Sequence, residues 1–506
     1  MTGVELTRAA GAVATAVGVA ALLLPVPRVS PTLRRAAGLV LTMVAWAVLT
    51  VTLAPSITSR LTHPAVAGAV LVAAVVGLGL VWLGGRAVVR WPTAWFVALA
   101  VTLPVRIPVP LGGDDHNLLL PLYAVIFAGV AGLVWERLRG RMDARWEPST
   151  SLDLPLGIFL TFALASAAWS VDGKEATVKI VFFYVPFLLL YLTVVAWWPR
   201  ARAVPALTLT TIALAVPVAL LALVQYATGH ILWNVRLEQS NKYSSFFRAN
   251  SIFWDPNILG RFLVVGILAV TALVWLRPYR REAVAAAAVL VVLLGGLAVS
   301  FSRSSCLMLM TGLALLAWRA FGGRRTVAVG GITLLLLGGV AVASSHNVRR
   351  ALTSPHRMSK VSEGRFDLIR GGVHIWERAP VHGAGLGGFQ KRYQQSLTPS
   401  EQRRVRVVIS HNTPITVLSE LGAVGFGLFV WLCLRVWRDI RGAARRVGGE
   451  AGWEMWVMLA VVTGILVHAL FYAGFFEDPY LWTLTAGALA LGATAGSQAR
   501  EPEPGG

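Results

Sequence analysis

Apolar runs long enough to cross a hydrocarbon layer about 30 Å thick recur along almost the entire chain, separated by short polar stretches. They lie near 10–26, 36–55, 64–84, 91–105, 117–135, 153–170, 177–197, 203–226, 256–276, 283–301, 304–320, 326–344, 412–434, 453–475 and 480–496. The pattern predicts an all-α fold, a polytopic transmembrane bundle of about 12–15 spans. The runs are too long and too uniformly apolar for barrel strands, and in lipid each backbone N–H and C=O has to be paired within its own segment. The first run is short and ends at Pro27-Arg28, so a signal-like reading stands beside the spanning one there.

Between the runs, arginine is unevenly placed. Arg28, Arg34 and Arg35 share one stretch, Arg86 and Arg90 another, then Arg137, Arg139, Arg141 and Arg145, then Arg200 and Arg202. Arg277, Arg280 and Arg281 follow, then Arg324 and Arg325, and finally Arg438, Arg441, Arg445 and Arg446. With these spans every cluster falls on one side, which the positive-inside rule makes cytoplasmic, together with the tail 497–506. The expected location is a multi-pass protein of the cytoplasmic membrane with its N-terminus outside.

The other side carries 106–116, 171–176, 227–255, a tight turn at Ser302-Arg303, and the long segment 345–411. Loops longer than about 15 residues tend to be functional or disordered. This one has Phe366, Ile369, Val373 and Trp376 at helical spacing, which predicts an amphipathic helix from near Gly364 that lies on the outer surface or caps a cavity. The chain then divides into an N-terminal transmembrane extension (1–90), a transmembrane core (91–344), an extracytoplasmic loop expected to be catalytic (345–411), C-terminal transmembrane helices (412–496) and the tail.

Composition supports this division. The 506 residues are 56% hydrophobic and 14% charged, against about 25% charged in soluble domains. The formal charge of +21 would suggest nucleic acid on a soluble protein, but here loop arginines account for it and no nucleic-acid partner is expected. The two cysteines, Cys306 and Cys433, lie in apolar runs with no metal or disulfide spacing. No HExxH, GxSxG or Walker sequence occurs.

The chemistry-bearing candidates gather on the non-arginine-clustered side. His411 sits where the long loop meets an apolar run, and an imidazole there is suited to accept a proton near neutral pH. The bland alternative is a helix start, with Asn412 as its cap. Arg303 stands at a turn between two apolar runs and Arg261 about one turn inside its run, where an uncompensated cation is costly. With Arg248 and Arg365 they could form a cationic set, since the planar guanidinium fork suits a pyrophosphate. For each one singly, a surface or lipid-phosphate contact is the alternative. Glu420, nine residues after His411, falls on the opposite helical face and is expected to make a structural hydrogen bond to another helix. His468 is expected to be a satisfied interhelical histidine. The run 383–389, GAGLGGF, lacks the Lys-Ser/Thr ending of a phosphate loop and is read as a flexible turn. Asp114-Asp115 with His116 is weak evidence for a divalent ion, and no metal or cofactor is expected.

In order along the chain, LGGDDHNLLLPLY, LASAAWSVDGKEA, VQYATG, FFRANSIFWDPNILGRFL, SFSRSSCLMLM, GRFDLIRGGVHIWERAPVHGAGLGGF and SHNTPITVLSELGAVGF resemble the O-antigen ligase-like membrane glycosyltransferases, which include Wzy-type polymerases. The resemblance spans roughly residues 100 to 480 and implies a GT-C-like bundle. It implies an undecaprenyl-diphosphate-linked glycan donor and a lipid, glycan or protein acceptor, joined by metal-independent, inverting transfer on the outer face. Arg303 and Arg365 match the family's arginines and His411 its loop-end histidine. A polytopic transporter and a peptidoglycan-type polymerase are the competing classes. A transporter would be expected to show related repeats and broken helices at the midplane.

Overall fold

The computed structural model describes residues 2–53, 64–111, 114–140, 150–242, 247–276, 280–325, 365–404 and 410–498. The helices are α1 (Gly3–Leu23), α2 (Pro31–Thr52), α3 (Pro64–Arg90), α4 (Pro92–Thr102), α5 (Leu120–Leu138), α6 (Asp153–Ala165), α7 (Gly173–Arg200) and α8 (Ala203–Thr228). Then come α9 (Val235–Lys242), α10 (Pro256–Leu276), α11 (Arg280–Ser300), α12 (Arg303–Phe321), α13 (Arg365–Arg378), α14 (Phe389–Ser396), α15 (Pro399–Arg404), α16 (Thr413–Arg446), α17 (Gly449–His468) and α18 (Pro479–Gln498). Among the described residues, 11 helices are long and apolar enough to cross a membrane. Each predicted span has a helical counterpart except 326–344, which lies outside the described residues, as does the 345–364 part of the long loop.

The departures from the expected pattern have local causes. The segment 106–116 carries a small antiparallel hairpin, β1 (Ile107–Leu111) paired with β2 (Asp114–Leu118), with Val109 opposite His116. The side chains of Asp114, Asp115 and His116 lie outside the described ones. The predicted span 412–434 continues as helix to Arg446, because arginines end a hydropathic run without ending a helix. Within α16 the backbone breaks at Gly422 (φ 66°, ψ −169°). A side chain there would meet the Val381 carbonyl oxygen at 2.3 Å, so the break lets the incoming loop touch the helix backbone.

The bundle is organised around α7. Its middle, Val185 to Trp197, is buried on nearly every face, as expected of a helix apolar all round. A π-helical turn at Ile180–Tyr184 lies just before this stretch. Helix α18 packs on α7, α16 on α6, α12 on α17, and α10 on α11. Helices α1 and α2 approach closely through Gly18 and Gly38; a Cβ on Gly38 would stand 2.8 Å from the Gly18 carbonyl oxygen. Helix α1 also packs on α6 and on the 3-10 turn Ser166–Trp169.

This arrangement sorts the loops by end. Arg35 bonds Asp153 at the start of α6 (3.6 Å), and the Arg319 guanidinium lies 5.1 Å from the Trp453 ring near the start of α17. Those contacts hold the arginine-cluster end together. The starts of α7, α10, α12 and α16, the end of α17 and the segment 469–478 meet at the opposite end.

The predicted amphipathic helix exists as α13 and packs against α16 and α14. Its seated face differs from the predicted stripe. Gly372 and Ile375 are buried, Phe366 is exposed, and Ile369, Val373 and Trp376 are half-buried. The reason is the pair Gly371-Gly372: a Cβ on Gly371 would meet the Tyr393 ring at 2.2 Å, and one on Gly372 would meet Ile415 at 2.3 Å. The two glycines place the helix directly on its neighbours, a contact that apolar periodicity does not register.

Candidate functional site

A cavity of about 710 Å³ opens at the end of the bundle opposite the arginine clusters. Its wall is built from the start of α7, the start of α10, α14, the first turns of α16 and the segment 469–478. Of the residues singled out in the sequence, Arg261 and Glu420 line it. His411, Asn412, Arg248, Arg303 and Arg365 do not, yet Arg248 reaches Asn257, and Asn412, Arg365 and His411 approach the segment around Tyr472.

Segment 469–478 is the hub. Asn412 caps α16, accepting from the Ile415 N–H (2.9 Å), and its Nδ2 donates to the Leu470 carbonyl (2.8 Å). Thr413 donates its N–H to Ala469 (2.9 Å) and its hydroxyl to the Tyr472 carbonyl (3.0 Å). Arg365, at the first turn of α13, donates to the Phe471 carbonyl (3.4 Å). The His411 ring lies 6.3 Å from the Tyr472 ring, the His468 ring 5.4 Å and the Arg261 guanidinium 5.8 Å. His411 is held at φ 50°, the left-handed region that few non-glycine residues occupy. Ser251 and Phe301 share that conformation nearby, at φ 51° and 50°. Strained backbone of this kind clusters at functional sites.

A polar network runs behind Tyr472. Its hydroxyl donates to Asp255 Oδ2 (3.2 Å), and burial, then the Asp255 charge, push the phenol well above its ordinary pKa, so it remains a donor. Asp255 Oδ1 accepts from the N–H and side-chain amide of Asn257 (2.7 and 2.9 Å). Asn257 Oδ1 accepts from the Ser302 hydroxyl (2.9 Å) and from Arg248 (3.5 Å), which also donates to the Ser300 carbonyl (3.2 Å). Ser302 caps α12. Arg303, the next residue, is exposed, and Ser304 meets His468 Nε2 at 3.1 Å. His468 thus joins α17 to α12. Arg248, Arg365 and His411 therefore share one corner, and Arg303 follows the Ser302 that bonds Asn257 there.

Arg261 is deeper, with its Nε 2.9 Å from Asp478 Oδ2 and both side chains buried. Arg106, just before β1, donates to the Glu477 carbonyl (3.3 Å) and lines the cavity. Burial, then the neighbouring Arg261 charge, pull its pKa below the ordinary guanidinium value.

Glu420 occupies the inner wall of the cavity. Lys179 Nζ stands 3.1 and 3.2 Å from its two oxygens. Gly387 and Phe389 donate their N–H groups to the same carboxylate (2.9 and 3.4 Å), and Gly385 donates to the Glu420 carbonyl (2.8 Å). The 383–389 run is thus no flexible turn. All seven residues are buried, and Gly383, Gly385 and Gly387 have φ of 69°, 83° and 74°. Its backbone N–H groups form an anion cradle, and the anion they hold is the protein's own carboxylate.

Sequence reasoning missed Arg106, Lys179, Asp255, Asn257, Tyr472 and Asp478. FWDPNILGRF did carry a signal for two of them, since Asp-Pro-Asn before an apolar run is a turn and helix-start pattern. Tyr472 and Asp478 had none, because each acts on a partner more than two hundred positions away. Among the described residues, no three His, Cys, Asp or Glu side chains are grouped to hold a metal ion.

Residues 288–430 match the family model described as O-antigen ligase. The matched segment contains Arg303, Arg365, His411, Asn412 and Glu420, while Arg248 and Arg261 lie before it. No curated protein matches the chain. Residues 288–430 are thus similar to the O-antigen ligase family, within a chain whose apolar helices are those of a multi-pass membrane protein.

Proposed function

We propose that the chain transfers a glycan from undecaprenyl diphosphate to an acceptor hydroxyl on the outer face of the cytoplasmic membrane, without a metal and with inversion. The acceptor oxygen forms a bond to the anomeric carbon of the donor sugar. The bond from that carbon to the diphosphate oxygen breaks, and its electron pair leaves with the polyprenyl diphosphate. His411 takes the hydroxyl proton, a contribution of typically 10²–10⁴-fold for such catalysis. Arg303 and Arg365, with Arg248 and Arg261, offset the charge that grows on the leaving diphosphate.

The observation that carries this reading is the approach of Arg248, Arg261, Arg365 and His411 to Tyr472 and Asn257. Arg365 and His411 meet consecutive residues of segment 469–478, and Arg248 reaches the Asn257 that caps the same network. The cluster lies at the end opposite the arginine-rich loops, which the positive-inside rule makes extracytoplasmic, with the C-terminus in the cytoplasm. Mass spectrometry of surface glycans from a deletion strain tests the reading. One glycan-to-acceptor linkage should disappear, while polyprenyl-diphosphate-linked glycan accumulates. An unchanged glycan profile would reject it. A transporter would instead leave lipid-linked glycan at its normal level.

A further inference from the structure

We infer that the arginine-cluster end of the bundle carries a binding site for an acidic glycerophospholipid, built where α3 meets α5, with the phosphate held by Arg86 and Arg139 around Trp135. The site lies at the other end of the bundle from the cavity and does not depend on the proposed transfer reaction.

The two helices touch through residues without bulk. A Cβ on Gly85 would stand 2.7 Å from the Gly132 nitrogen, and one on Gly84 3.0 Å from the Ala128 Cβ. This close approach sets Trp82 of α3 against Trp135 of α5, with ring centroids 4.8 Å apart and an edge-to-face angle of 81°. One turn further along α3, the Arg86 guanidinium lies 5.5 Å from the Trp135 centroid. One turn further along α5, the Arg139 guanidinium lies 4.1 Å from the same centroid. Two cations thus share one indole, and like charges so placed repel unless an anion joins them. Among the described residues, neither guanidinium is in an ion pair or a hydrogen bond, and Glu136, which lies between Trp135 and Arg139 in the chain, is paired with neither. Both arginines are exposed. A guanidinium over a ring turns its face to the indole and keeps its N–H edge for a phosphate, which two planar forks can grip together.

Depth and surroundings point to a lipid. Few residues of Leu71–Arg90 are buried. Val72, Val76, Leu80 and Leu83 are exposed and lead to Arg86 at spacings of four, four, three and three, which is one face of the helix. An acyl chain can lie along that face with its phosphate at Arg86. Arg90, Arg200, Arg319 and Arg441 likewise lie over Trp91, Trp197, Trp453 and Trp437. Indole and guanidinium therefore recur together at this end, as they do at the level of lipid headgroups, where basic side chains attract acidic lipid. A protein partner would have to bring its own acidic group to that level, whereas the leaflet supplies phosphate there already.

Native mass spectrometry of the full chain released from nanodiscs tests this. The probes are dioleoylphosphatidylglycerol, dioleoylphosphatidylethanolamine and soluble glycerol 3-phosphate. Phosphatidylglycerol should be retained about tenfold more strongly than phosphatidylethanolamine, and Arg86→Gln/Arg139→Gln should weaken its retention about tenfold. Arg319→Gln/Arg441→Gln removes as much charge elsewhere at this end and should change retention by less than about twofold. A diazirine-bearing phosphatidylglycerol should label peptides from α3 and α5 in the wild-type chain, a readout that needs no variant to fold. Equal retention of the two lipids, equal losses in the two double variants, or labelling confined to other helices would overturn the inference. Glycerol 3-phosphate bound as strongly as the lipid would overturn it too, as would a co-purifying polypeptide cross-linked to α3 in place of lipid.

Discussion

Replacing Lys179 by Met should loosen the 383–389 turn by about 3 kcal/mol, the low end of what removing one partner from a buried ion pair costs. The side chains are 16% and 5% exposed, so the pair falls outside the surface class worth about 0–1 kcal/mol. The low end applies because Glu420 would still accept from the Gly387 and Phe389 N–H groups. Those amides report the effect directly. At about 1.4 kcal/mol per decade, 3 kcal/mol corresponds to roughly a hundredfold faster hydrogen exchange, read by mass spectrometry on a peptide covering 383–389. The neutral pair Lys179→Met/Glu420→Gln should recover part of the loss, because no buried charge is then left without its counter-ion. The two single effects should therefore not add, with a coupling of about 1–3 kcal/mol. Unchanged exchange in Lys179→Met, or strict additivity in the double variant, would refute the assignment of this pair as the clamp on the turn.

Three other outcomes follow from the geometry. Gly385→Ala should impair folding, since its Cβ would stand 2.3 Å from Ser170 Cα at a φ of 83°; overpacking of about 1–3 kcal/mol should show as lower yield and earlier heat-induced aggregation, and wild-type behaviour would mean the turn is not packed this way. His411→Gly should withstand heat better than His411→Ala, because glycine relieves left-handed strain of about 1–2 kcal/mol, yet both should be inactive. A glycine variant no more stable than the alanine variant would argue that residue 411 is unstrained. Arg303→Lys should lower transfer at least about tenfold with normal membrane insertion, because an ammonium does not reproduce a forked contact; wild-type turnover would remove the diphosphate clamp from the account.

The bundle was legible because hydropathy and backbone satisfaction act locally. A run of apolar residues long enough to span can bury its amides only as helix, so Ala203–Thr228 or Pro256–Leu276 could be placed almost to the residue. The caps were legible for the same reason: Asn412 accepts an N–H three residues on. What escaped was non-local or depended on absent side chains. The seat of α13 is set by Gly371 and Gly372, which carry no hydrophobic signal. Lys179 and Glu420 are 241 positions apart, and Arg261 meets Asp478 across a similar gap. The glycine run was misjudged because its stiffness comes from a carboxylate on another helix. For the candidate site, the sequence offered Arg248, Arg261, Arg303, Arg365 and His411 as expectations, whereas the Tyr472–Asp255–Asn257 network near them left no mark in it.

The central claim is that guanidinium groups and His411 cleave a glycan from its polyprenyl diphosphate carrier at this corner of the protein. It is tested most directly in proteoliposomes, with purified full-length chain, a glycan-bearing undecaprenyl diphosphate and an oligosaccharide acceptor. Production of free undecaprenyl diphosphate together with a lengthened acceptor, lost in His411→Ala and persisting in the presence of a chelator, is the predicted result. Equal product from His411→Ala, or an intact donor with the wild-type chain, would contradict it.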